Sequence, residues 1–256
     1  MQENDLNLLL DAVSCASQIA VKFFKNSPKV WDKGSNEGPV TEADIEINNM
    51  LLNKLLSARP DYGWLSEETE DDLERLNKDY VFIIDPIDGT RSFINGNKNY
   101  ACALGIAFKG VMQVGVVQMP SLAQTFWASI GSGAYQNGKK INVSSRSNVK
   151  GATILTAKPN LDSAYWPGGV PPMFQVYRSS LAYRLCLAAN GSFDAMVTLR
   201  DCWEWDIAAG DLIVREAGGV VTDRHGNDLS FNNEKPKRPG ILAGPKDIQL
   251  DLINRL

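Results

Sequence analysis

One histidine, His225, is all that the 256 residues contain, and that scarcity excludes a good deal of hydrolytic chemistry. Ser-His-Asp and Cys-His arrangements need an imidazole to take the nucleophile's proton. His225 lies in Asp223-Arg224-His225-Gly226-Asn227-Asp228, a turn between two strand-like runs and a poor address for a rigidly held base. Cysteine is nearly as sparse. Cys15, Cys102, Cys186 and Cys202 are far apart, form no Cys-x-x-Cys pair and sit in apolar stretches, so they read as reduced core residues. Excess basic charge is missing too: the net charge is −4 and the lysines are scattered, whereas a nucleic-acid groove built on bulk electrostatics needs a clustered basic face. Lys235-Pro236-Lys237-Arg238 reads as a solvated loop. No apolar run approaches the ~20 residues of a membrane span, and Met1-Gln2-Glu3-Asn4-Asp5 lacks the cationic start of a signal peptide. The expectations are no membrane, no nucleic-acid polymer and a cytoplasmic location.

The patterns that are present describe an ordinary core of one large domain or two packed halves. Leu6, Leu9, Leu10, Val13, Ile19, Ala20, Phe23 and Phe24 recur at helical spacing and predict an amphipathic helix from Asp5 to Phe24, with Pro28 beyond its end. Thr41 can cap a second helix to Ala58, with Asp44 at its third position. A short strand at Tyr62 to Leu65 precedes Glu67, Glu68, Glu70, Asp71, Asp72 and Glu74, an acidic run that predicts a helix start. Strands at Ala101 to Phe108, Val111 to Gln118, Gln124 to Ser129 and Lys139 to Val143 make an antiparallel meander. From Thr153 the pattern alternates: strand to Ala157, helix from Ser180 to Ala189, strand from Phe193 to Leu199, helix from Asp206 to Ala217, then strands at Val220 and Ile241. An α+β half over 1–145 and an α/β half over 146–256 follow. Gly133 to Lys140 nearly spells a nucleotide-binding P-loop, but Lys140 replaces the required hydroxyl and Ile141-Asn142-Val143 reads as strand, so Asn137-Gly138 is taken as a type I′ hairpin turn.

Chemistry concentrates in Tyr80-Val81-Phe82-Ile83-Ile84-Asp85-Pro86-Ile87-Asp88-Gly89-Thr90, where a buried strand opens onto two carboxylates at i, i+3. Carboxylates beside a Gly-Thr turn suit Mg²⁺ holding a phosphate; a plain Asp-rich surface turn fits the hexapeptide equally. In Trp203-Glu204-Trp205-Asp206-Ile207-Ala208-Ala209-Gly210, Asp206 opens a helix whose dipole favours a carboxylate, and a simple capping aspartate would also account for it.

Taken together, Pro39-Val40-Thr41-Glu42-Ala43-Asp44, Ser66-Glu67-Glu68, Asp85-Pro86-Ile87-Asp88-Gly89-Thr90, Gly131-Ser132-Gly133-Ala134, Trp205-Asp206-Ile207-Ala208-Ala209-Gly210 and Glu216-Ala217-Gly218-Gly219 resemble the inositol monophosphatase family in order and spacing. The resemblance implies a layered α-β-α-β-α sandwich of the inositol monophosphatase and fructose-1,6-bisphosphatase type, with the site where the two halves meet. It implies two or three Mg²⁺ ions on Glu67, Asp85, Asp88, Asp206 and the carbonyl of Ile87, with Asp44, Thr90 and Glu67 in catalytic roles. Asp44 and Thr90 would orient the attacking water, and Gly89 and Thr90 would hold the phosphate beside Asp88 and Asp206. Lys33, in the glycine-rich loop before Pro39, would add a mobile positive charge. A homodimer and lithium inhibition are implied as well.

The substrate expected is a small phosphorylated metabolite. Inositol monophosphatases usually carry Asn where this chain has Ser92, and Arg91-Ser92-Phe93-Ile94 with Ser179-Ser180-Leu181 looks more like bacterial 3'(2'),5'-bisphosphate nucleotidases. That reading is favoured over inositol-1-monophosphatase and then histidinol phosphatase. Ser179, Ser180, Arg184 and Glu204 are the expected contacts beyond the phosphate, a structural ion pair being the alternative for Arg184. Two other classes stand against this: a regulatory or RNA-associated binding protein on the same fold, and a metal-free glycoside hydrolase with paired acids.

Overall fold

The computed structural model describes residues 2–34 and 38–256, with side chains from Asn4 onward. Met1 and part of the loop expected to carry Lys33, residues 35–37, lie outside the described residues.

Helix α1 (Gln2–Phe23) buries Leu9, Ala12, Val13, Ala16 and Ala20. A short ribbon of β1 (Val30–Asp32) and β2 (Pro39–Thr41) leads into α2 (Glu42–Ala58). There Thr41 and Asp44 form the expected capping box, each side chain meeting the other's backbone N–H. Helices α1 and α2 pack together through Ala43, Ile47, Leu51 and Leu55 and form the first layer. By length and composition, residues Asn4–Phe23 could span a membrane, contrary to the expectation from sequence; here their apolar stripe is spent on α2 and the sheet beneath.

That sheet has seven strands in the order β3 (Gly63–Ser66), β4 (Tyr80–Asp88), β5 (Ala101–Phe108), β6 (Val111–Met119), β7 (Gln124–Ser129), β8 (Ala134–Gln136) and β9 (Lys139–Ile141). Strands β3 and β4 are parallel and the others antiparallel. The unbroken apolar run of β4 has a simple cause: Phe82 and Ile84 face α1 and α2, while Val81 and Ile83 face the opposite layer. Asn137 and Gly138 both have positive φ between β8 and β9, as the type I′ turn requires. Strand β8 was not foreseen. The helix expected in the acidic run is a single 3₁₀ turn, Glu74–Asn77. Asp71 and Asp72 instead accept the amides of Leu73 and Glu74, and Leu73 turns left-handed at φ 63°, so local side-chain bonds outcompete the helix.

After the short α3 (Thr90–Ile94), the second sheet is built from β10 (Thr153–Leu155), β11 (Phe174–Val176) and β12 (Ala195–Thr198), with β14 (Val220–Thr222) and β16 (Ile241–Gly244). Its order is β11-β10-β12-β16-β14, parallel among the first three and antiparallel from β12 onward, so it is mixed rather than the parallel sheet of a regular α/β half. A separate two-residue ribbon pairs β13 (Cys202–Trp203) with β15 (Lys237–Arg238). Between the sheets lie α4 (Leu181–Ala189) and α5 (Glu204–Glu216). A last helix, α6 (Lys246–Ile253), unforeseen from sequence, covers the outer face of the second sheet through Ile248 and Leu252. The result is the α-β-α-β-α sandwich. Two glycines set its spacing: a Cβ on Gly115 would stand 2.7 Å from the carbonyl oxygen of Ala209, and one on Gly210 would strike the Leu185 side chain.

Candidate metal centre

Three segments converge at the carboxyl ends of β3 and β4. Ser66 pairs with Ile84 in parallel register, so Glu67 leaves β3 beside Asp85. Along β4, Asp85 pairs with Ala103 but Asp88 with Ala101, so one extra residue is looped out between them. Residues at i and i+3 of a regular strand point to opposite faces; the bulge re-phases the chain and aims both aspartates at the α4–α5 layer, while Ile87 packs towards α1 and α2. Helix α5 supplies Asp206. It lies at the third helical position, since the helix begins at Glu204 rather than at Asp206, and its Oδ2 accepts the Trp203 amide at 3.3 Å. Carboxylate oxygens of Asp85, Asp88 and Asp206 then all lie within 4.8 Å of one another.

Electrostatics makes this arrangement expensive without a cation. Both oxygens of Asp85 are buried and accept no hydrogen bond among the described residues. Burial, then the fields of Glu67, Asp88 and Asp206, push its carboxyl well above the usual range. Asp206 is pushed well above it by burial, then Asp88 and Glu67. Asp88 rises to about 6 through burial, although the Ser180 hydroxyl (2.6 Å), the Ala182 amide (2.7 Å) and the field of Arg184 pull the other way. Two carboxylates 4 Å apart repel by about 4 kcal/mol at an effective dielectric near 20. An all-oxygen set with an unpartnered carboxylate at its centre suits a hard divalent ion such as Mg²⁺.

Glu67 stands next to this trio, held by Lys33, whose Nζ donates to it at 3.0 Å and to Glu68 at 2.7 Å. Glu68 rises to about 7, chiefly by burial and then by the charge of Glu67. The carbonyl of Ile87 accepts the Thr90 hydroxyl at 3.1 Å, and that hydroxyl lies 3.5 Å from Asp44 Oδ1. Asp44 is 1% exposed and raised to about 6, mainly by burial, while the Thr41 amide and hydroxyl bind its other oxygen. Gly89 takes φ 97°, and a Cβ there would come within 3.1 Å of the Asn99 carbonyl. The turn thus admits only glycine before Thr90 opens α3, whose first N–H groups have no partner within the helix.

Among the residues expected beyond the phosphate, Ser180 is buried, caps α4 through the Tyr183 amide and supports Asp88. Ser179 donates to the Asn99 carbonyl at 2.8 Å and receives the Ser92 hydroxyl at 2.6 Å. The Arg184 guanidinium is committed to the carbonyls of Arg178 and Ser179 and lies over the Tyr177 ring. Glu204 is fully buried, bound to Asn232, Asn233 and Arg238. Sequence reasoning missed Glu68 as the second seat of Lys33 and the Ala182 amide as a donor to Asp88. The Ser180 cap before an apolar helix was the one available signal for the second.

Against known proteins, the sequence profile of the inositol monophosphatase family matches residues 1–255. The chain belongs to this family. Relatives within the inositol monophosphatase family include inositol monophosphatase 1 of Solanum lycopersicum, 31% identical over 91% of this chain and 89% of its own. The putative Nus factor SuhB of Neisseria meningitidis serogroup B is 32% identical over 93% and 95%. The SuhB structure from Bartonella henselae superposes with a TM-score of 0.83 at 28% identity, covering 98% of both chains. The family fold and the acidic trio are therefore both present.

Proposed function

We propose that this protein is a Mg²⁺-dependent phosphomonoesterase acting on a small phosphorylated metabolite. The observation that carries the reading is Asp85, buried without a hydrogen-bond donor between Asp88 and Asp206. Two or three Mg²⁺ ions held by Glu67, Asp85, Asp88, Asp206 and the Ile87 carbonyl would polarise the phosphoryl group and acidify a water. Glu67 would join the set on release from Lys33, which would remain a tethered cation through Glu68. Asp44 and Thr90 would orient the attacking water, which would give its proton to the Thr90 oxygen as the Thr90 hydroxyl proton turns from the Ile87 carbonyl to Asp44 Oδ1, whose carboxyl near 6 suits a base at neutral pH. Gly89 and Thr90 hold the phosphate through the open amides at the start of α3. Ser180 and the Ala182 amide keep Asp88 aimed at the cluster. No histidine is needed.

The favoured substrate is a 3'(2'),5'-bisphosphate nucleotide, supported by Arg91-Ser92-Phe93-Ile94 and the Ser92–Ser179 hydroxyl pair at 2.6 Å. Inositol 1-phosphate comes next, supported by the inositol monophosphatases among the relatives, and histidinol phosphate third. A homodimer and lithium inhibition belong to the same reading. The relatives named as Nus factors favour one second reading, a regulatory or RNA-associated binding protein on this fold.

The test is phosphate release with Mg²⁺, with and without EDTA, from adenosine 3',5'-bisphosphate, inositol 1-phosphate, histidinol phosphate and fructose 1,6-bisphosphate. Release that EDTA abolishes supports the proposal. Release that survives EDTA sinks it in favour of a metal-free acid pair, and no release from protein that binds Mg²⁺ moves the weight to the binding-protein reading.

A further inference from the structure

Arg184, the arginine that the motif pattern offers to a substrate, is withdrawn from it: it is 2% exposed, and its guanidinium donates to two main-chain carbonyls and lies over an aromatic face. Arg200 is its opposite. It is exposed and makes no hydrogen bond or ion pair among the described residues.

The topology brings the segment carrying Arg200 to the end of the second sheet from which Ser179 and Ser180 reach the site. Strands β10, β11 and β12 run parallel, so the segments that follow β11 and β12 emerge at the same sheet edge. After β11 the chain reaches Ser179 and Ser180, the latter bonded to Asp88. After β12 it reaches Arg200. In open sheets with parallel strands, ligands bind outside the carboxyl ends. Its own backbone neighbour is anchored: Leu199 donates to Asn160 Oδ1 at 3.2 Å and its carbonyl accepts from Arg224 at 2.6 Å. The chain then crosses β13 into α5, where Asp206 is tied to Trp203. Arg200 therefore stands six residues before Asp206, in a segment pinned at Leu199 on one side and at the Trp203–Asp206 bond on the other. Asp201, next along and also exposed, acts on the Cys202 thiol.

We infer that Arg200 reads a second anionic group of the substrate, a phosphate or carboxylate borne on the same molecule as the phosphate that meets the acidic cluster. A planar guanidinium with free donors matches either group in two-point fashion. Arg184, buried and committed to main-chain carbonyls, could not. The inference rests on the phosphomonoesterase reading and narrows its substrate class to doubly anionic esters.

The experiment compares wild type, Arg200→Ala and Arg200→Lys on adenosine 3',5'-bisphosphate and on glycerol 2-phosphate, which has no second anion. It reads kcat/KM together with equilibrium binding of adenosine 3',5'-bisphosphate and adenosine 5'-monophosphate to Mg²⁺-loaded protein. The expected result is a preference for the doubly anionic ligand that falls about 10-fold to 100-fold in Arg200→Ala, the range for losing a bond to a charged group, appears mainly in KM, and is partly restored by Lys. An unchanged preference overturns the role of Arg200 while leaving the phosphatase reading intact. Absence of turnover in wild type, with the binding preference still lost in Arg200→Ala, overturns the phosphatase reading and keeps the anion subsite. Thermal unfolding of both variants guards against a folding artefact, and the Lys variant carries the comparison if the Ala variant does not fold.

Discussion

Asp88 uses its oxygens unequally. Oδ2 accepts both the Ser180 hydroxyl and the Ala182 amide, which leaves Oδ1 for the cluster. In Asp88→Asn the amide oxygen can keep the Oδ2 bonds while a charge is removed from a crowded site. The variant should therefore fold as well as wild type in urea titration yet lose at least about 100-fold in Mg²⁺-dependent turnover, because supporting residues alone cost 10-fold to 100-fold. Wild-type turnover would refute the role of Asp88. Ser180→Ala removes a supporting bond and the α4 cap. It should weaken Mg²⁺ binding in calorimetry by about 10-fold and stability by about 1 kcal/mol, whereas Ser179→Ala should leave Mg²⁺ binding as it was. This difference between two adjacent serines was not legible in the sequence, where Ser179-Ser180 reads as one motif. It depends on which hydroxyl points across the layer to β4.

Whole elements were more legible where local chemistry and tertiary contacts agree. The Asn137-Gly138 hairpin followed from two residues that tolerate positive φ, and α2 from the Thr41 and Asp44 box. The acidic run failed because Asp71 and Asp72 can bond their own backbone as readily as a helix can use their charge. Strand β8 is three residues long, too short to show an alternating pattern, and the short α6 packs on residues as distant in sequence as Ile154. The position of α5 depends on a contact that no local pattern reveals, the touch between Gly115 and Ala209. Gly115→Ala forces α5 off β6 and should destabilise the protein by about 1–3 kcal/mol, the usual cost of overpacking, measured by chemical denaturation. Because Asp206 rides on α5, Mg²⁺ affinity should fall in the same variant; unchanged affinity would mean that the helix yields elsewhere.

At the scale of the molecule, the raised carboxyls make stability depend on pH. Asp44 and Asp88 rise from 3.8 to about 6 and Glu68 from 4.5 to about 7. A carboxyl raised in the folded state holds its proton more tightly there than in the unfolded chain. Between the two values the folded form binds more protons, so stability falls as pH rises. Metal-free protein should lose thermal stability progressively from about pH 4 to 7, and saturating Mg²⁺ should flatten that slope by replacing protons with the ion. A flat profile without metal would refute the raised values, since it requires these carboxyls to titrate alike in the folded and unfolded chain. The motif spacing made Asp85 and Asp88 legible as a pair, but their convergence with Asp206 came only through family resemblance. It needs a bulge, a parallel β3–β4 pairing and a helix from the far half of the chain.

The trio is also divided between layers, with Asp85 and Asp88 on the first sheet and Asp206 on the helix beyond it. An ion seated among them is therefore a rivet through two layers that otherwise meet by packing and by hydrogen bonds such as those from Ser180 and Ala182 to Asp88. Amide protons at the end of β4 and in the first turn of α5 should slow their exchange with deuterated solvent together when Mg²⁺ is added, while those of α6 keep their pace.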